Sequence, residues 1–290
     1  MSERRASGPE ALESAYRQCE AVARAEARDQ WLGALYAPPN ARNGLFALAS
    51  FDHEIREARF RARDPYLAAM RLAWWRGVVR GERDEEAAGS PVALALSAAV
   101  EAFSLPSAWL EAMLDAQLQE MAPQDDFDLA AFEGFADESE GARLRLAARI
   151  AAGGRDLDEK NAHGPAGMAL ALARMLAALP YRAGAAPTLV PADIATRHGA
   201  GLDDFDARRA GPGVIATCAE LRTIAREKLA EAESLLKASP RAILAAFIPL
   251  GALRLDLDRL DRTAERPFDP PRKASPLRRQ WAIWRWARGR

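Results

Sequence analysis

Along most of the chain apolar residues recur every three or four positions, the spacing of a helix that buries one face. Proline, glycine and Asp-Pro or Ser-Pro pairs interrupt the pattern where helices would start or stop. A long alanine-rich helix is expected from about Glu10 to Leu35, ended by Pro38-Pro39-Asn40 because proline cannot continue it. A second is expected from about Arg42 to Arg63, and Asp64-Pro65 restarts a third that puts Leu67, Met70, Trp74 and Val78 on one face. On that helix Trp74 reads as core, while Trp75, about 100° further round, reads as lining a cavity or touching a neighbouring helix. Ser90-Pro91 opens a fourth helix, and Leu105-Pro106-Ser107 a fifth with Leu110, Leu114, Leu118 and Met121. Asp128 opens one that reaches about Ala152 and is closed by Gly153-Gly154, and the next runs from about Asp158 to Leu179. Beyond the loop from Pro180 to Pro191 come a short helix to His198 and two long ones, about Val214 to Ala238 and Pro240 to Arg262. No segment reads as a strand and no fixed-period repeat stands out. The pattern therefore predicts an all-α protein: a flexible N-terminus over 1–14, one bundle over 15–266, and a Pro-rich linker with a basic, Trp-rich helix over 267–290.

Composition strengthens the helical reading, since 65 of the 290 residues are alanine. Lys+Arg number 40 against 41 Asp+Glu, a net charge of -1 that argues against a nucleic-acid binder. The balance conceals an asymmetry: residues 262–290 carry +7 and the remainder -8. Cys19 and Cys218 stand 199 positions apart in no paired motif, so neither a disulfide framework nor a Cys metal site is expected. A reducing cytoplasmic setting follows, and the polar first residues give no signal-peptide pattern. The longest uncharged run, the 14 residues 87–100, falls short of the roughly 18–20 needed to span a bilayer.

Familiar catalytic motifs are missing. His53, His163 and His198 have no metal-ligand spacing, and no phosphate-cradling glycine loop follows a strand. Asp125-Asp126-x-Asp128 and Asp203-Asp204-x-Asp206 precede helices and read as N-terminal caps. Asp256, Asp258 and Asp261 alternate with arginines and read as an ion-pair face.

Two stretches carry a resemblance. Residues 42–80, RNGLFALASFDHEIREARFRARDPYLAAMRLAWWRGVVR, and 167–199, GMALALARMLAALPYRAGAAPTLVPADIATRHG, resemble the two motif regions of the squalene/phytoene synthase family. Phe135 to Gly141 is similar to that family's Tyr-Cys-x-x-x-Ala-Gly segment, and the likeness extends over roughly 15–288. It implies the all-α isoprenoid synthase fold, a single-domain helical bundle around a central cavity. In the family, two facing helices each bear Asp-x-x-x-Asp, a spacing that puts both carboxylates on one face. There they hold magnesium ions that bind and ionise a prenyl diphosphate.

This chain departs from that pattern at its chemical centre. The first pair of aspartates would fall on Arg56 and Phe60 and the second on Ala178 and Arg182, and nowhere do two aspartates stand four residues apart. The features Glu54-Ile55-Arg56, Arg71-Leu72-Ala73-Trp74-Trp75-Arg76 and Ala178-Leu179-Pro180-Tyr181 resemble the branch of the family that includes the mitochondrial complex I assembly factor and its bacterial relatives. That resemblance implies a non-catalytic assembly or isoprenoid- or lipid-binding factor without cofactor, located in the cytoplasm or peripheral to the inner membrane. Its partner would be a membrane-bound complex, and Arg42, Arg56 and Arg182 are candidates to bind an anionic head group. The alternative is an active prenyltransferase, with magnesium held by Asp52, Glu54, Glu57 or more distant acids; of the three named, only Glu54 and Glu57 share a face. In the tail Leu277, Trp281 and Trp284 recur at helical spacing, Trp286 points nearly opposite, and Arg278, Arg279, Arg285, Arg288 and Arg290 surround them. Either this helix packs on the bundle by one tryptophan face, or it meets an anionic membrane surface.

Overall fold

The computed structural model describes residues 8–61, 64–122, 127–157, 161–181, 189–272 and 274–289, and within these every regular element is helical. Residues 1–7 of the expected flexible N-terminus lie outside the described residues. In chain order the helices are α1 Pro9–Glu26, α2 Arg28–Leu35, α3 Pro39–Arg61, α4 Pro65–Val79, α5 Asp84–Ala87, α6 Pro91–Phe103, α7 Ser107–Gln119, α8 Leu129–Ala136, α9 Ala142–Ala151 and α10 His163–Ala178. There follow α11 Ala192–Arg197, α12 Leu202–Asp206, α13 Pro212–Leu236, α14 Leu244–Phe247, α15 Leu250–Arg262 and α16 Pro276–Arg288.

The punctuation sets these boundaries. Asp64 accepts from the Tyr66 amide at 2.8 Å, Asp128 from Ala131 at 2.8 Å, Ser90 from Ala93 at 3.4 Å and Ser275 from Arg278 at 3.3 Å. Asp204 likewise accepts from the Gly201 amide at 3.0 Å. Gly153 and Gly154 follow α9 with φ of 69° and 83°, a left-handed path that glycine takes without strain. Asp128→Ala should cost about 1 kcal/mol, read as a lower urea midpoint with an unchanged slope.

Three expected helices are interrupted. Ala27, at φ -127° and ψ 51°, leaves helical geometry and separates α1 from α2. Between α8 and α9 the residues Asp137–Gly141 form a π-helical turn. The segment expected from Pro240 to Arg262 is a 3₁₀ turn at Arg241–Ile243 followed by α14 and α15, which part at Ile248-Pro249. Periodicity missed these breaks because each keeps the flanking apolar faces in phase.

Trp75 touches the neighbouring helix α3, as expected, fully buried and edge-on to Phe51 with ring centroids 5.1 Å apart. Trp74, expected in the core, is only half-buried and donates its indole N–H to Glu86 at 2.7 Å. Helix α4 buries Ala68, Leu72, Trp75 and Val79, one position round from the expected stripe, and leaves Leu67 and Met70 over half exposed. Ala68 and Gly77 are small, so the stripe that packs closely carries less visible hydrophobicity than the one that does not.

Helix α3 passes through the middle of the molecule, against α1, α2, α4, α6, α7 and α9, while α10 packs on the π turn, α13 and α15. Cys19 and Cys218 are buried free thiols, each pushed up to about 11 by burial, and so stay protonated and inert at neutral pH.

Candidate functional site

The π turn and α10 meet backbone to backbone: a Cβ on Gly167 would lie 2.8 Å from the Gly141 nitrogen. This crossing brings Glu140, on the π turn, to the centre of the bundle opposite α3, and Glu140 is buried. π turns often accompany functional sites because they re-aim a side chain.

Around Glu140 lies a network of ion pairs. Arg56 on α3 donates from Nε to Asp52 at 2.8 Å and from Nη2 to Glu140 Oε1 at 3.0 Å. Arg143 on α9 donates from Nε and Nη2 to Glu140 Oε2 at 2.9 and 2.7 Å and stands 4.0 Å from Asp52. On α10, Arg174 reaches Glu120 at 3.4 Å and Glu140 at 3.8 Å. Asp52, Glu120, Glu140 and Arg143 are all buried, so three carboxylates and three guanidiniums balance almost out of water. Burial pushes the Glu140 carboxyl up, but Arg143 and Arg56 outweigh it and hold it below its usual range. Burial likewise lowers Arg56, and Asp52 and Glu140 more than offset it, so Arg56 is raised and stays charged.

Beside the network is a cavity of about 260 Å³, with Glu140, Arg143, Arg174, Asp256 and Arg259 among its lining residues. A second, of about 20 Å³, lies among Leu45, Leu48, Ala147 and Ala245 and has room for roughly one water-sized body.

The expected site residues fall in different places. Arg56 is central, as described. Arg42 donates from Nη2 to the Leu35 carbonyl at 3.1 Å and from Nε to Ala37 at 3.3 Å, closing the C-terminal end of α2. Arg182 and the side chain of Phe60 lie outside the described residues, so the expected meeting of Arg56 with Arg182 has no described geometry. Ala178 is the last residue of α10. Of the acids near the first motif, Asp52 faces inward to Arg56, while Glu54 accepts from Arg71 at 3.1 Å on the neighbouring helix.

Magnesium takes oxygen ligands in near-octahedral geometry, with carboxylates free to coordinate. Here Asp52 and Glu140 are already engaged by guanidiniums, so this donor set does not fit the ion. Among the described residues no three His, Cys, Asp or Glu side chains form a group able to hold a metal.

Sequence reasoning found Arg56 but missed Glu120, Glu140, Arg143 and Arg174. One signal was available: the resemblance drawn from the sequence sets Glu140 against an alanine of the Phe135–Gly141 segment and Arg56 against an aspartate of the first motif. Arg56 and Glu140 are partners in one ion pair.

Fold and motif positions together define a protein of the squalene/phytoene synthase family. The chain belongs to that family, whose model matches residues 23–284. Among named relatives, human NADH dehydrogenase (ubiquinone) complex I, assembly factor 6 is 25% identical over 265 residues, covering 91% of this chain and 79% of the relative. The mouse assembly factor 6 is 23% identical over the same coverage. Similar folds include a dehydrosqualene synthase in complex with ligand, with TM-score 0.77, 16% identity and 96% of this chain and 97% of that one covered. Another is squalene synthase HpnC from Alicyclobacillus acidocaldarius, at TM-score 0.70, 20% identity and coverage of 90% and 98%.

Proposed function

We propose that this chain is a non-catalytic member of its family that helps assemble a membrane-bound respiratory complex of the complex I type. The observation that carries this reading is Arg56, held in the centre of the bundle by Asp52 at 2.8 Å and Glu140 at 3.0 Å. A guanidinium there repels a cation, and its two carboxylate partners are no longer available to one. The likeness to complex I assembly factor 6 supplies the class of partner. No helix among the described residues is long and apolar enough to cross a membrane, so contact with such a complex would be made at the surface of the bundle.

Deleting the gene in its host tests this. The expected result is a loss of assembled membrane NADH dehydrogenase on native gels, restored by the wild-type chain, with the isoprenoid products unchanged. A normal level of assembled enzyme together with a missing prenyl product overturns the proposal in favour of the prenyltransferase.

A bound isoprenoid or lipid is a second reading with its own observation. Arg143, Arg174 and Arg259 line the cavity of about 260 Å³, where an anionic head group would meet their guanidiniums.

A further inference from the structure

Helix α16 has two unlike faces. Inward, Ile283 is 1% exposed and packs with Leu32, Ile248 and Ala252. Arg279 is tied to Asp29, from Nε at 2.7 Å, and to Asp256, from Nη1 at 2.7 Å. Helix α15 comes so close that a Cβ on Gly251 would lie 2.8 Å from the Trp286 Cβ and 2.9 Å from the Ile283 Cα. These contacts come from α2, α14–α15 and α16 itself and fix the rotation of the helix about its axis.

Outward, Leu277, Trp281 and Trp284 are 80, 56 and 43% exposed, forming a stripe at positions i, i+4 and i+7. The guanidinium of Arg285 lies over the Trp281 ring at 5.4 Å and that of Arg288 over Trp284 at 4.5 Å. Helix α16 contains no acidic residue, and among the described residues Arg278, Arg285 and Arg288 meet no carboxylate.

We propose that this outer face of α16 docks on an anionic phospholipid surface, with the helix lying in the plane of the interface. Tryptophan rings favour the boundary between head groups and acyl chains, and arginines stacked on them carry their charge at the depth of the phosphates. Charge complementarity selects the lipid and the orientation: residues 262–290 carry +7 while residues 1–261 carry -8, so an anionic bilayer attracts this end and repels the rest. Because the inner face already holds the helix folded and oriented, docking orders nothing new, unlike a peptide that folds on binding. The inference stands independently of the assembly role.

Flotation of the full chain with phosphatidylcholine vesicles, with and without phosphatidylglycerol, tests it. The expected result is partitioning into the anionic vesicles only, reduced about a hundredfold by R278Q/R285Q/R288Q, since each arginine near such a surface contributes about fivefold. W281S/W284S should lower it at least tenfold on the same scale of interfacial burial. All five positions are outward-facing, and an unchanged thermal midpoint checks that the variants stay folded. Equal partitioning into both vesicle types, binding unaffected by either variant, no binding at all, or retention only on an acidic protein surface such as immobilised polyglutamate would each overturn the proposal.

Discussion

Replacing Arg56 with methionine lowers the thermal midpoint by roughly 6–20 °C. Removing one member of a buried ion pair typically costs about 3–5 kcal/mol, because the partner is left charged and poorly solvated, and each kcal/mol moves the midpoint of a protein of this size by about 2–4 °C. Methionine keeps the volume of the side chain, so the loss is one of charge rather than packing. Asp52 would lose its partner at 2.8 Å and keep only Arg143 at 4.0 Å, while Glu140 would keep Arg143. Arg56→Met and Glu140→Ala should show a coupling of about 1–3 kcal/mol in the double-mutant cycle, although the double variant stays destabilised because the buried Arg143 loses its bidentate partner Glu140. The pH dependence has a defined sign. The folded Glu140 carboxyl is held below its ordinary value, so its contribution is present above the ordinary carboxylate range and lost as pH falls through the lower, folded value. The wild type should therefore lose stability more steeply than Arg56→Met on acidification from neutral pH, as followed by thermal melts at a series of pH values.

Gly167→Val should cost about 3 kcal/mol or more and loosen the same centre. A Cβ at 167 would stand 2.8 Å from the Gly141 nitrogen, 3.1 Å from its Cα and 3.2 Å from the Ala136 carbonyl. All three are backbone atoms of a neighbouring element, so no side chain can swing aside, and α10 must move away from the π turn. Glu140 lies in that turn and Arg174 on α10, so the displacement also lengthens their contact, 3.8 Å in the wild type. Chemical denaturation measures the stability loss. Faster hydrogen exchange in α9 and α10, with α1 and α6 unaffected, would place it at the crossing.

How far the sequence disclosed this arrangement depended on the kind of signal. Caps and prolines announced helix starts well, because Asp64, Ser90 and Asp128 satisfy free amides within their own first turn. Breaks at Ala27 and in the π turn, where no proline stands and no cap was recognisable, left no such local mark. Trp74 is less buried than its stripe implied because two apolar stripes compete on α4, and the choice between them belongs to the shape of α3 and α7 rather than to α4 itself. The ion-pair network was half visible. Arg56 could be placed by motif position, whereas Glu120, Arg143 and Arg174 come from three other helices whose proximity exists only once the chain has folded.

Arg56 and Arg143 occupy the carboxylates of Asp52 and Glu140, and on the proposed non-catalytic role the protein should carry out no magnesium-dependent diphosphate chemistry. Full-length protein incubated with farnesyl or geranylgeranyl diphosphate and magnesium should release no more inorganic diphosphate than the protein-free control. Saturable, magnesium-dependent release that disappears in Asp52→Asn would contradict the account and restore the chain to the prenyltransferases.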